Sequence, residues 1–326
     1  MKPKKLLPIF KDTYNEFMAE DPFRHSAIIS FYSIFSMPAL LIIIIQVAGY
    51  FLGAKAVRGE ISGQIDNMIG PDAAQQVETM ISHAGTSGSG IWMQIVGIGI
   101  LLYGATTVFF QLQKSLNDFW DVRANPKNDI LKLVVDRATS LGIIIAIGFI
   151  LLISLVVSTA LSIISDWIEA QFPSYLIYLA MGLSIIINFG IITLVFAIIY
   201  KVLPDVEIKW RTVWIGAGVT SVLFLLGKFA LSFYFSKANP GSAYGAAGSI
   251  ILLLSWVSYS SLIMFFGAKF TKVYARYSNE KIVPSSHAEY SYGYQLRMKA
   301  QENAEARQNS PDNIPKDSGY RPSGSY

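Results

Sequence analysis

The chain has 326 residues, 52% of them hydrophobic and only 15% charged, and its formal net charge is +4. A soluble domain carries about a quarter charged residues, so this balance excludes an ordinary soluble globule. The absence of cysteine excludes disulfides, thiolate nucleophiles and Cys-ligated metals.

Charge is missing from several runs of 20 or more residues, so the expected fold class is an all-α polytopic membrane protein with six transmembrane helices. Residues 1 to 25 precede the first run. Within them LLPIFKDTYNEFMAEDPF (6 to 23) mixes charge with Leu7, Ile9, Phe10, Tyr14 and Phe17. This pattern predicts an amphipathic helix, lying at the membrane interface or packed on neighbouring loops. No A-x-A cleavage site follows, so the first span is expected to stay as an anchor.

The spans are predicted at Ser26–Phe51, Ile91–Gln111, Thr139–Ile163, Tyr175–Tyr200, Val213–Phe235 and Ala247–Phe270. Each is long enough for a hydrocarbon core of about 30 Å. Together they make a six-helix transmembrane domain over 26 to 277. Every Asp and Glu falls outside these bounds, which leaves no carboxylate in the membrane to relay protons.

The first connection, about 52 to 90, is too long for a turn. Ile61, Ile65, Met68 and Ile69 recur at helical spacing, then Ala73, Ala74, Val77, Met80 and Ile81, with Gly70-Pro71 between. Glycine ends helices and proline starts them, so a helical hairpin is predicted. GTSGSG (85 to 90) reads as a flexible lead into the second span.

Lysine and arginine set the orientation. Five lie in the N-terminal segment, five in the second connection and three in the fourth. Lys269 and the C-terminal end add nine. The other side holds only Lys55, Arg58 and Lys237. The positive-inside rule then puts both termini in the cytoplasm and the hairpin outside. From Ser278 the composition turns to Ser, Asn, Gln, Pro and charge, predicting a largely disordered cytoplasmic tail over 278 to 326, with a helix allowed at 295 to 308. The tail is close to neutral, unlike a nucleic-acid arm.

Polar residues within the spans share faces. Ser26, Ser30 and Ser33 recur in the first span, where Pro38 is expected to break the ladder. Tyr103, Thr107, Gln111 and Lys114 align in the second. Ser221, Lys228 and Ser232 align in the fifth, with Tyr234 just beyond, and Trp256, Ser258 and Tyr259 mark the sixth. Such faces either pack helices closely or line a polar cavity. Lys228 is the sharpest feature, the one charge in an apolar run of 23 residues, Val213–Phe235. It reads either as a snorkelling anchor or as a cation facing an anionic ligand. Lys114, Lys269 and Lys272 are candidate lipid-phosphate contacts at the cytoplasmic boundary. His25, His83 and His287 are separated by the topology, and no HExxH, GxSxG or P-loop occurs, so neither catalysis, metal nor cofactor is expected.

FYSIFSMPALL (31 to 41), LLYGATTVFFQLQKSLNDFWD (101 to 121), YKVLPDVEIKWR (200 to 211) and SAYGAAGSIILLLSWVSYSSLIMFFGAKFTKVYAR (242 to 276) resemble the YihY/virulence factor BrkB family over about residues 20 to 277. The resemblance implies a bacterial inner-membrane protein of six helices with both ends inside, and a transporter or exporter without a settled substrate. Lys228, Tyr234, Tyr244-Gly245, Trp256 and Tyr259 fall on the family's recurrent pattern. GAKFT (267 to 271) departs from the family's usual GAEFT, so any role of that acidic position is in doubt here. The family's old ribonuclease label conflicts with the lack of clustered metal ligands.

The expected function is therefore non-ATP-driven export of an amphiphilic or anionic small molecule. The alternatives are binding or translocation of an anionic envelope lipid, and a non-transporting scaffold for envelope assembly. Membrane lipids are the expected partners and nucleic acid is not; self-association stays open.

Overall fold

The computed structural model describes residues 6–84, 91–125, 129–171, 175–238 and 247–308. Among these, ten helices and four short strands follow in order. They are α1 (Leu6–Met18), α2 (Pro22–Leu52), α3 (Ala54–Ile69), α4 (Pro71–Ala84), α5 (Ile91–Phe119), β1 (Val122–Ala124), α6 (Asp129–Gln171) and α7 (Tyr175–Val202). Then come β2 (Val206–Glu207), α8 (Trp210–Ala238), α9 (Gly248–Tyr277), β3 (Val283–Pro284), β4 (Ala288–Tyr290) and α10 (Tyr292–Gln308). Five stretches, on α2, α6, α7, α8 and α9, are long and apolar enough to cross a membrane.

The helices overrun the apolar runs, because hydropathy marks only the part that meets hydrocarbon. Two expectations change as a result. Helix α6 starts at Asp129 rather than Thr139, which puts Lys132, Asp136 and Arg137 on a candidate span, Ile130–Ile150. Carboxylates are thus not wholly outside the spanning helices. Pro38 lies inside α2, which continues unbroken to Leu52. A proline forfeits one ladder bond, and packed neighbours hold such a helix together.

Helix α2 is central and packs on α5, α6 and α9, while α8 packs between α7 and α9. Close approach on α8 and α9 relies on missing side chains. A Cβ on Gly216 would stand 1.8 Å from Thr271 Oγ1, and one on Gly267 would stand 1.8 Å from Thr220 Oγ1 and 2.4 Å from Tyr200 Oη. That Tyr200 hydroxyl is fully buried and donates to the Met264 carbonyl at 2.7 Å, beside Thr220 Oγ1 at 2.9 Å. In hydrocarbon, such contacts replace the hydrophobic force that water would supply.

Helices α3 and α4 meet at Gly70, whose φ of 110° suits glycine and whose N–H caps Asp66 at 2.9 Å. Their apolar faces, Val57, Ala73, Val77 and Ile81, pack against Ile45, Phe235, Leu252 and Trp256 at one end of the bundle.

At the other end the connections gather. Strand β2 pairs antiparallel with β3, Val206 opposite Pro284, and β1 pairs with β4. Glu280 accepts from Lys209 N–H at 2.9 Å and Thr212 Oγ1 at 2.6 Å, binding the segment after α9 to the start of α8. Instead of disorder from Ser278, residues 279 to 289 are folded here, with Ser285 N–H donating to Asp205 O at 3.0 Å and Asn125 N–H to His287 O at 2.9 Å on the inter-helix links. The chain divides into Met1–Glu289 and Tyr290–Tyr326. In the second unit α10 extends to Gln308, and the Tyr290 and Tyr294 rings stack at 4.9 Å.

Candidate functional site

Three cations on α9, Lys269, Lys272 and Arg276, recur at i, i+3 and i+7 and so share a helix face. Lys269 is only 1% exposed, pairs with Glu20 at 3.3 Å and stands 5.6 Å over the Phe119 ring. Lys272 pairs with Asp121, which sits just past α5 with a φ of 56° that aspartate tolerates. Arg276 reaches Glu16 at 2.7 Å on α1, and the neighbouring Tyr277 hydroxyl donates to Asp12 at 2.7 Å. Lys269 and Lys272 are therefore internal ion-pair partners rather than the expected lipid contacts. The acids that claim them lie 151 or more residues away in sequence, where spacing gives no hint of them. Lys114 remains exposed.

His25 is buried among Phe119 and Phe265, with Nδ1 3.1 Å from Ser115 Oγ and Asp118 4.0 Å away. Phe119 and Phe265 stack at 4.8 Å, and Phe17 of α1 joins them. Helix α1 thus places Ile9 and Phe17 in the protein, while Leu7, Tyr14 and Met18 stay exposed.

A second polar knot joins α5, α6 and the α7–α8 link. Lys132 Nζ lies 2.9 Å from Asp136 Oδ1 and 2.8 Å from Asp205 Oδ1. Asn117 donates to Asp205 Oδ2 at 2.8 Å and accepts from the Asp205 N–H at 2.8 Å; Gln113 touches both carboxylates. One turn further along α6, Arg137 covers the Tyr103 and Phe110 rings and donates to Thr106 at 3.0 Å and Thr107 at 3.2 Å. Two of the candidate pathway residues, Tyr103 and Thr107, are thereby engaged by Arg137. Gln111, on the same face, is half-buried and makes no hydrogen bond among the described residues.

The remaining candidates divide by face. Ser221 is fully buried, donates to Ala217 O at 2.8 Å and accepts from Thr193 of α7 at 3.0 Å, so it fastens two helices. Ser258 donates to Ser26 at 3.2 Å and Ser30 to Leu254 O at 2.7 Å, which ties α2 to α9. Trp256 belongs to the core beside Phe224. Lys228 is half-buried on the α8 face that carries Ser221, Phe224 and Phe235, and it forms no hydrogen bond or ion pair among the described residues. Ser232 is partly exposed and Tyr234 exposed to 53%. Tyr244 lies outside the described residues.

Tyr259 stands elsewhere, its hydroxyl over Gly227, where a Cβ would come within 1.9 Å. It borders an apolar groove of about 450 Å³ with Leu226, Ala230, Ile263, Phe266 and Phe17 among its walls. The groove centre and Lys228 are about 150° apart around α8, at 3.6 residues per turn, so they are separate features.

Long apolar helices, ion pairs gathered toward one end of the bundle among the described residues, and hydroxyl-mediated helix contacts define a polytopic α-helical membrane protein. The particular family follows from comparison with known proteins. The model of the virulence factor BrkB family matches residues 13–290, and the chain belongs to that family. It is 23% identical over 271 residues to the ribonuclease-like protein YfkH of Bacillus subtilis, covering 81% of this chain and 94% of that one. A UPF0761 membrane protein of Pseudoalteromonas atlantica is 24% identical over 255 residues, 78% of this chain and 81% of its own. PM1616 of Pasteurella multocida, another UPF0761 membrane protein, is 26% identical over 225 residues, 68% and 66% respectively. No solved structure matches the chain. Among the described residues no three His, Cys, Asp or Glu side chains gather as a metal-holding group.

Proposed function

We propose that the protein is a non-ATP-driven, non-enzymatic transporter that exports an amphiphilic or anionic small molecule across a bacterial inner membrane. In this reading α5 is the sixth crossing. Both termini and the ion-paired end are cytoplasmic, and α3 and α4 are external, as the distribution of Lys and Arg favours. Lys228 carries the proposal. An ammonium group on a packed face of a spanning helix, without a protein counter-charge among the described residues, is suited to meet an anion in transit.

The test is flux in proteoliposomes, with carboxyfluorescein and a dansylated fatty acid as probes. Lys228→Met should slow protein-dependent release of at least one probe by about tenfold or more, equivalent to about 1.4 kcal/mol. A Lys228→Met protein as fast as wild type, or a wild type that moves neither probe, overturns the proposal. An anionic envelope lipid as cargo is the second reading, favoured by the apolar groove.

A further inference from the structure

The groove between α8 and α9 begins where the polar end of the bundle stops. Phe17 and Phe266 form one end of it, and Phe266 is a single turn from Lys269, whose ion pair with Glu20 marks the last charged level. From there the walls rise through Ile263 and Tyr259 on α9 and through Leu223 to Ala230 on α8, about 10 Å of helix on each side at 1.5 Å per residue. Both walls belong to helices long and apolar enough to cross a membrane. The depth just inside the charged level is where the acyl chains of one leaflet begin.

Two polar features bound this apolar slot. The Tyr259 hydroxyl has no hydrogen-bond partner among the described residues. Arg24, next in sequence to the groove residue Phe23, is exposed and feels the Asp118 carboxylate at a distance but forms no close ion pair among the described residues, while Lys269, Lys272 and Arg276 all have theirs. Arg24 thus stands at the level a phosphate would occupy, next in sequence to a wall residue of an apolar slot directed into the hydrocarbon.

We propose that the α8–α9 groove is a binding site for one acyl chain of an anionic phospholipid, whose phosphate is held by Arg24. A volume of about 450 Å³ falls within the roughly 300–1,000 Å³ of ordinary ligand sites. Each methylene placed between protein walls exchanges mobile lipid contacts for fixed ones, so retention depends on the fit of the chain and on the charge at its head. The missing side chain at Gly227 lets Tyr259 lie flat against α8 and keeps the slot open. The inference does not depend on transport by Lys228, which occupies another face of α8.

The experiment reconstitutes the full chain in phosphatidylcholine nanodiscs carrying trace spin-labelled phosphatidylglycerol or phosphatidylcholine, and reads the motionally restricted fraction. Wild type should restrict phosphatidylglycerol at least about threefold more than phosphatidylcholine. Ala230→Phe and Leu226→Trp, which fill the slot from exposed positions, should each lower that fraction at least threefold. Ile186→Phe, equally bulky at a 68% exposed position on α7, should leave it unchanged. Arg24→Gln should abolish the preference for phosphatidylglycerol while the chain remains restricted. Undiminished restriction in Ala230→Phe and Leu226→Trp, or an equal loss in Ile186→Phe, overturns the site. A preserved headgroup preference in Arg24→Gln overturns the role of Arg24. If Ala230→Phe fails to fold, Leu226→Trp decides.

Discussion

Replacing Lys132 with methionine is expected to be among the most damaging single changes in the protein. Its ammonium lies within 2.9 Å of two carboxylates, Asp136 and Asp205, and the three side chains are only 13%, 10% and 12% exposed. At an effective dielectric of about 20, each contact is worth roughly 6 kcal/mol of gross Coulomb attraction, most of which offsets the cost of taking the charges out of water. Methionine keeps the packing of the stem but leaves two neighbouring carboxylates facing each other, with Gln113 and Asn117 as the side-chain donors left among the described residues. Breaking a buried pair in this way typically costs about 3–5 kcal/mol. For a domain of this size that corresponds to a fall in melting temperature on the order of 10 °C. The assay is the loss of monodisperse protein on heating in mild detergent, read by size-exclusion chromatography. Lys132→Met with Asp205→Asn should recover part of the loss, because the pair and not the residue is at stake. A single-variant shift below about 2 °C, or strict additivity in the double variant, would refute the reasoning.

Gly267→Ala should destabilise by about 1–3 kcal/mol through overpacking against Thr220 and Tyr200, whereas Gly218→Ala, with nothing within 4 Å, should be neutral or mildly stabilising in the same melting assay. Glu280→Ala should cost about 1–2 kcal/mol by releasing Lys209 N–H and Thr212, and removal of 278–326 should destabilise far more than removal of 309–326. Because the chain lacks cysteine, Gln64→Cys and Lys299→Cys report orientation directly. An impermeant maleimide should label the first in intact spheroplasts and the second only after permeabilisation; the reverse pattern removes the basis for calling the process export.

The arrangement of long helices was legible because a bilayer demands apolar length, and length is a property of contiguous sequence. The break at Gly70-Pro71 was legible for the same local reason, since φ preference belongs to the residue itself. Helix ends were less so. Asp129 to Ala138 looks like a charged connection, yet it is the first turns of α6, because Lys132 and Asp136 neutralise each other at i, i+4 and Asp205 completes the pairing. His25 gave no sequence signal beyond its place before an apolar run, and its burial depends on aromatic rings from α5 and α9.

The sequence by itself determined that this chain lives in a membrane as a bundle of helices, and which side of the bundle its charges favour. Those conclusions rest on solvent transfer, which each residue pays according to its own chemistry. Only the tertiary structure decided what each polar residue is for. It paired Lys269 with Glu20 and Lys272 with Asp121, spent Ser221 and Ser258 on helix contacts, and left Arg24 without a close ion pair and Lys228 and the Tyr259 hydroxyl without a hydrogen bond among the described residues. Partners tens to hundreds of residues apart meet only when helices pack, and no spacing rule along one helix contains that information.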